Sequence, residues 1–108
     1  MALQLFRVVV RGRFDGLDDA ARDRLREVAA DHDIMVSAFT GAGTLTYDHF
    51  LYAYNARFEL RADGDDPQAN VAEVTERALR GTTALLAELD VSGRDQKVTV
   101  TDMASIWS

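Results

Sequence analysis

The sequence contains no cysteine among its 108 residues and only two histidines. The lack of cysteine excludes disulfide bonds, thiolate catalysis and cysteine-ligated metal sites. The two histidines and the scattered carboxylates show no spacing that is typical of a metal site, so we expect neither a metal nor a cofactor. No apolar run approaches the roughly 20 residues of a membrane span, and we expect no membrane partner.

Basic residues are in the minority, because 12 Lys and Arg stand against 18 Asp and Glu and give a formal net charge of -6. This balance disfavours a general nucleic-acid binder, although a local basic patch is compatible with it. The start of the chain, MALQLFRVVVRG, lacks the basic region and cleavage site of a secretory signal, so we expect a cytoplasmic protein. A composition of 47% hydrophobic and 28% charged residues is typical of a single globular domain, which we expect to span residues 1–108.

The segment Asp48–Ala62, DHFLYAYNARFELRA, alternates with a period of two and predicts the central strand of a sheet. Four of the nine aromatic residues of the chain fall on its even positions, which we therefore expect to face the core. These even positions are Phe50, Tyr52, Tyr54, Ala56, Phe58 and Leu60. The odd positions are expected to face away from the core.

Three other segments also alternate and predict strands: Leu3–Gly12, Ile34–Thr40 and Lys97–Met103. Gly12–Gly16 and Gly41–Gly43 are expected to be turns. Thr44–Tyr47 can extend the hairpin before Asp48, which leaves the start of the third strand open.

Two helices are predicted between the strands. The first begins near Asp18, a good N-cap, and ends near Asp31. The second begins with Asp66 as N-cap and Pro67 as the first helical residue. Gly81 lies beside its apolar stripe and predicts either a close approach of the helix to the sheet or a kink.

This order of elements predicts an α+β fold, the ferredoxin-like βαββαβ sandwich. Its four-stranded antiparallel sheet has the order 4-1-3-2, with both helices on one face. The predicted core consists of Phe6, Val8, Val10, Leu25, Val28, Tyr52, Phe58, Val74, Leu85 and Val98.

The sheet face away from the helices carries two predicted patches. Arginines form one of them, and the other is apolar. The basic patch is Arg7, Arg11, Arg57 and Arg61, and the apolar patch is Met35, Phe39, Leu51 and Ala53. Such a face is either solvated, or an anion site, or the contact surface of a homodimer, and we favour the homodimer because solvent alone explains the apolar patch poorly.

Acid–base chemistry has one candidate region, the segment Tyr47-Asp48-His49. His49 is the candidate base, aided by Tyr47 or Tyr52. Neighbouring residues of a strand point to opposite faces, so Asp48 orients His49 only if a bulge intervenes, and a polar hairpin end is the simpler interpretation. His32 is interpreted as a structural residue at the end of the first helix.

Two resemblances bear on these expectations. Val10–Leu17 resembles the first strand and phosphate loop of acylphosphatases, which implies the same fold. Asp18 and Asp19 stand where that family has a Phe-Arg pair, and its asparagine motif is missing, so the activity does not carry over. The segments FRVVVRGRFDGL, AFTGAGTLTYD and ARFEL are similar to a small actinobacterial family catalogued only as a domain of unknown function. That resemblance implies a compact α+β domain and brings no activity or site residues.

Three classes of function follow, and the sequence leaves open whether the protein is an enzyme. The first is a small-molecule binding or accessory protein, in which Arg7, Arg11 and Arg57 hold an anionic or aromatic ligand, with apolar contact from Phe39, Leu51 and Trp107. The alternative is a cofactor-independent cyclase or monooxygenase acting on an aromatic or polyketide-like substrate, an analogy at the level of the fold. The last is a structural or regulatory interaction module.

Overall fold

The computed structural model describes residues 3–33 and 38–103. Its strands are β1 (Gln4–Asp15), β2 (Thr44–Tyr47), β3 (Ala53–Ala62) and β4 (Ser92–Asp102), and its helices are α1 (Asp19–Glu27) and α2 (Pro67–Glu88). A short 3-10 helix, Ala29–His32, follows α1. Neither helix in these ranges is long and apolar enough to cross a membrane.

The four strands form one antiparallel sheet in the order β2-β3-β1-β4, which is the predicted order read from the other edge. Val8 of β1 lies opposite Phe58 of β3 on one side and Val100 of β4 on the other. Buried residues of both helices, Leu25 and Val74 among them, belong to the same core as these strand residues. The α+β class is therefore confirmed, and both helices cover one face of the sheet.

The prediction that the even positions of the central strand face the core is confirmed at Phe58, which is 2% exposed. Arg57 lies half-buried on the other face. Of the predicted core, six residues are buried: Phe6, Val8, Val10, Leu25, Phe58 and Val74. Three are half-buried, of which Leu85 and Val98 pack against this core: Val28, Leu85 and Val98. Tyr52 was assigned wrongly, because its side chain is 58% exposed.

The error at Tyr52 comes from a turn that the alternating pattern conceals. Leu51 adopts a positive φ of 59°, and its N–H donates to the backbone oxygen (3.2 Å) and the side-chain Oδ1 (3.1 Å) of Asp48. This turn buries Leu51 at 5% exposure and leaves Phe50 at 72%, the opposite of the predicted faces. Strand β3 therefore begins at Ala53, not at Asp48.

The strand that pairs with β3 at the edge of the described sheet is not the predicted Ile34–Thr40. Strand β2 is Thr44–Tyr47, which pairs with β3 between Arg57 and Tyr54. Of the predicted strand Ile34–Thr40, residues 34–37 lie outside the described part, and Thr40 makes one isolated parallel bridge to Phe58. Thr44–Tyr47 forms the strand because Leu45 joins the buried core and Tyr47 packs against it.

Strands β1 and β4 are longer than predicted. The expected turn at Gly12 is wrong, because β1 continues through Gly12 to Asp15 and the chain turns only at Gly16, with a φ of 61°. β4 begins at Ser92, before the predicted start at Lys97. The two strands pair over this extra length around a bulge between Arg11 and Arg13.

Both predicted helix starts are confirmed. Asp18 Oδ1 accepts the N–H of Ala21 at 2.8 Å, and Asp66 Oδ1 accepts the N–H of Gln68 at 2.9 Å, with Pro67 as the first residue of α2. Side-chain caps of this kind satisfy backbone N–H groups that lack a partner inside the helix. The first helical segment ends near the predicted Asp31, as α1 followed by the 3-10 turn.

Gly81 allows α2 to lie close to the sheet, which is the first of the two predicted roles. A Cβ at Gly81 would stand 2.7 Å from Cε1 of Phe58. Gly43, whose φ is 89°, also lies against the Cε1 edge of the Phe58 ring. The helix runs through Gly81 without interruption, so the glycine serves the contact with Phe58.

We predict that Gly81→Ala destabilises the protein by up to about 2 kcal/mol, because overpacking a core by a methyl group costs roughly 1–3 kcal/mol and the gain in helix propensity offsets only about 1 kcal/mol of it. Gly43 also lies against the Cε1 edge of the Phe58 ring, so the space around Cε1 is already limited. Urea unfolding measures the change in free energy.

Gly41→Ala is the matched control, because the nearest atom to its Cβ would be 4.0 Å away. It should change the free energy of unfolding by less than about 0.5 kcal/mol. A stabilised Gly81→Ala variant would contradict the proposed contact.

Candidate functional site

The face of the sheet that the helices leave open is strongly basic. The register places the odd-numbered residues of β1 and β3 on this open face, together with the residues of β4 that lie opposite them. Seven of the twelve Lys and Arg residues of the chain stand there: Arg7, Arg11, Arg13, Arg57, Arg61, Arg94 and Lys97. The acidic residues among these strand positions are Asp15 and Glu59, and Asp95 stands at the bulge of β4.

None of these seven cations forms an ion pair with a carboxylate of the described residues. The ion pair that these residues do form joins Arg24 to Asp90 at 3.8 Å, away from the open face, where Arg24 also donates to backbone oxygens at the end of α2. Like charges that share a surface without counter-charges raise its potential and attract anions. The open face is therefore a basic surface on a chain whose net charge is negative.

Phe39, Arg7 and Arg57 form the most organised group on this face, called here the Phe39 site. The Cζ atoms of Arg7 and Arg57 lie 4.8 Å and 5.5 Å from the centroid of the Phe39 ring. The next residue, Thr40, accepts the N–H of Glu59 at 2.9 Å, which fixes this segment to β3. Guanidinium groups that stack on an aromatic ring keep their N–H edges available for a bidentate contact with an anion.

The remaining predicted ligand residues fare differently. Arg11 lies on the open face but further along β1, and its Nε donates to Asn55 Oδ1 at 3.3 Å. Leu51 is buried in the core and cannot offer apolar contact on this face, so that placement was wrong. Trp107 and Met35 lie outside the described residues.

Tyr47 packs against the core at the end of β2, where it also borders the groove that His49 lines. Its hydroxyl donates to the backbone oxygen of Leu25, and its ring stacks on His32 with centroids 5.3 Å apart. Burial, and then the negative charge of Asp31, raise the pKa of Tyr47 to about 12. His32 in turn bonds through Nδ1 to the backbone oxygen of Leu45 at 2.8 Å, as its structural interpretation requires.

His49 and Tyr52 are exposed near the β2–β3 turn and lie in different grooves. His49 lines a groove of about 550 Å³ together with Arg11 and Asn55, and its ring is 4.2 Å from that of Phe50. Tyr52 lines a second groove, and the Cζ of Arg13 lies 4.8 Å from its ring centroid. With the Tyr47 hydroxyl turned to Leu25, the three candidate catalytic residues do not meet at one point.

Sequence reasoning missed Arg13 and Arg94, and it gave Lys97 no role. Arg13 has the same parity as Arg7 and Arg11, so extending the first strand past Gly12 would have found it. Arg94 faces Arg13 across a bulge, which no alternating pattern indicates. Within residues 3–33 and 38–103, no cluster of three or more His, Asp or Glu residues could hold a metal ion.

Comparison with known proteins gives one match. Residues 1–107 match the model of a family of unknown function, DUF6204. No curated protein and no solved structure matches the chain. The arrangement of the chain's own residues is therefore the basis for any functional assignment.

We predict that phenolate absorbance of the folded protein has a component that titrates near pH 12, and that Tyr47→Phe removes it. The pKa of Tyr47 lies above its ordinary value of 10.0, so its contribution to stability is intact below pH 10 and is lost as the pH rises towards 12. The variant should lose this alkaline dependence of stability, as measured by urea unfolding between pH 9 and 12.

Tyr52→Phe is the matched control, because its exposed ring forms no comparable hydrogen bond among the described residues. It should leave the component near pH 12 in place. An unchanged alkaline titration in Tyr47→Phe would contradict the assignment.

Proposed function

The chain belongs to the DUF6204 family, a family of unknown function, and from the geometry of its own residues we propose that it binds a small anionic molecule on the open face of the sheet. The observation that carries this proposal is the Phe39 site. There two arginines from adjacent strands stand against one aromatic ring, and neither has a carboxylate partner among the described residues.

The proposed ligand has a carboxylate or phosphate group joined to an apolar or planar part. Arg7 on β1 lies opposite Glu59, so it is a diagonal neighbour of Arg57 on β3. Each of the two guanidinium groups can present two N–H groups to one anion. Phe39 supplies the apolar contact, and a shallow groove of about 420 Å³ beside it, lined by Arg61 and Glu59, leaves room for the rest of the molecule. Arginine stays charged at all physiological pH values, so this binding does not depend on a titratable group.

The proposal assumes the ferredoxin-like arrangement. The order of elements and the sheet order β2-β3-β1-β4 support it. In this arrangement the helices stabilise one face of the sheet, so side chains on the other face can be used for binding without loss of the core. The cations of the open face fit that division of roles.

A second candidate function is the cofactor-independent enzyme, and one observation favours it. His49 lines the same groove of about 550 Å³ as Arg11, so a base and an anion-binding group border one space. Tyr47 is a poor partner for such a base, because its hydroxyl is bonded to Leu25 and its pKa is raised. His49→Ala distinguishes the two candidates, since it should leave ligand binding at the Phe39 site unchanged.

A homodimer through the open face is also part of the proposal, with a condition that follows from the charges. Two such faces in symmetric contact would bring Arg7, Arg11 and Arg57 of one copy against the same residues of the other. Unscreened like charges in contact are unfavourable, so we propose that the dimer forms with anions between the two faces.

We predict that Arg57→Lys weakens the binding of benzoate, used as the simplest aromatic carboxylate, by roughly tenfold. The lysine keeps the charge but loses the fork geometry, and hydrogen bonds to charged groups contribute about 1.5–3 kcal/mol. Isothermal titration calorimetry at low ionic strength measures the dissociation constant.

Arg22→Lys is the matched control, because Arg22 is exposed on α1 at the opposite side of the molecule. It should leave the affinity for benzoate within about twofold. Equal losses in the two variants, or no benzoate binding to the parent protein, would overturn the Phe39 site as the ligand site.

We further predict that the subunit count rises from one to two when phosphate is added, as measured by native mass spectrometry and light scattering. The added anions neutralise the open face and allow two copies to approach. Arg57→Glu should form the dimer at a lower phosphate concentration, because it removes one of the repelling cations. A dimer that is insensitive to phosphate, or a monomer at every phosphate concentration, would contradict this mode of association.

A further inference from the structure

A second group of cations stands on the open face at the far end of β1 from the Phe39 site. Arg11, Arg13 and Lys97 line a groove of about 620 Å³ together with Tyr52 and Asp95. Arg11 and Lys97 are directly opposite each other on β1 and β4, and Arg13 is the next outward residue of β1. Three positive charges therefore border one groove, against the single negative charge of Asp95.

A β-bulge brings these side chains together. Between the pairs Arg11–Lys97 and Arg13–Arg94, Gly12 on β1 faces two residues on β4, Asp95 and Gln96. Asp95 takes a positive φ of 54°, as the extra residue of a bulge can. Bulges of this kind redirect side chains and are common beside binding sites.

The bulge is fixed from the core side by Tyr54. Gln96 Nε2 donates to the Tyr54 hydroxyl at 2.7 Å, and that hydroxyl occupies the space that a side chain at Gly12 or Gly93 would need. Tyr54 is buried, so its ring holds the bulge in place from beneath the groove. The spacing of the three cations is thus determined by the core and not only by their own flexible side chains.

We propose that this groove is a second anion site, separate from the Phe39 site, and that it takes a doubly charged phosphate group, free or as an ester. A net charge of two from its side chains matches a phosphate dianion. The cations come from two strands and approach from different directions, which suits the tetrahedral oxygens of phosphate better than a planar carboxylate. Tyr52, with Arg13 at 4.8 Å from its ring centroid, borders the groove as a stacking surface for an organic part.

The outer members of the two sites, Arg7 and Arg13, are six residues apart on β1, which corresponds to about 20 Å along an extended strand. Their inner members, Arg57 and Arg11, are diagonal neighbours on β3 and β1, so the two sites adjoin on the open face. The second proposal uses a different set of residues from the Phe39 site, and each can fail alone.

The test measures the binding of pyrophosphate and of phenyl phosphate to the full chain by isothermal titration calorimetry at low ionic strength. Arg13→Gln and Lys97→Gln should each weaken pyrophosphate binding by roughly tenfold, the loss expected for one charge-assisted contact. Arg22→Gln on α1 is the matched control and should stay within about twofold of the parent protein. Lys97→Gln carries the test if Arg13→Gln loses its fold, because Lys97 is exposed and forms no ring contact among the described residues.

Each outcome decides the proposal. If phenyl phosphate binds more tightly than pyrophosphate and Tyr52→Leu removes this preference, the ligand is a phosphate ester. If the cation variants weaken the binding of both ligands equally and Tyr52→Leu weakens neither, the site recognises the phosphate group alone. If Arg57→Lys weakens pyrophosphate binding as much as Lys97→Gln does, the face binds anions diffusely and the separate site is refuted. The separate site would also be refuted if a single-stranded oligonucleotide binds more tightly than pyrophosphate and both Lys97→Gln and Arg57→Lys weaken its binding. The open face would then be one continuous surface for a polyanion.

Discussion

The packing of the Phe58 ring against Gly43 and Gly81 is the constraint on which the rest of the structure depends. It ties α2 and the loop before β2 to the middle of the central strand at one residue. A strand has a period of two, so fixing Phe58 in the core also fixes Arg57 and Glu59 on the open face. The register with β1 then carries this parity to Arg7 and Arg11. The chemistry of the open face is thus a consequence of one aromatic contact on the opposite side of the sheet.

The distribution of charge reinforces this division into two faces. The chain is acidic as a whole, yet seven of its twelve cations stand on the open face, and none of them is paired with a carboxylate of the described residues. The electrostatic free-energy cost of placing these cations together is modest while water and salt screen them. This cost rises when two such faces approach each other. An anion bound between them lowers that cost. Anion binding and association of the open face are therefore expected to be coupled, since both respond to the same unpaired charges.

Much of the fold could be predicted from the sequence, because the core contacts are encoded as local patterns. The parity around Phe58, both helix caps and the role of Gly81 each follow from spacing or from a residue type that suits one position. The location of β2 did not follow, since Ile34–Thr40 alternates more strongly than Thr44–Tyr47, and burial of Leu45 decides between them. The positive φ of Leu51 was hidden for a similar reason, because leucine rarely adopts it and the alternation of residues 48–62 continues through the turn without a break.

The site was predictable only where it depends on parity. Strand alternation predicts that Arg7, Arg11 and Arg57 face away from the core. The position of Phe39 against two of them depends on a loop that Thr40 fixes to β3. The grouping of Arg11, Arg13 and Lys97 depends on a bulge that Tyr54 holds in place. Both groups consist of permanently charged side chains beside an aromatic ring. The candidate acid–base residues, in contrast, are dispersed, and the Tyr47 hydroxyl is committed to a backbone oxygen. Catalysis needs titratable groups that meet at a reacting atom, whereas recognition of an anion needs only fixed positive charge and a surface of the right shape. The arrangement of this chain satisfies the second requirement at two places on its open face.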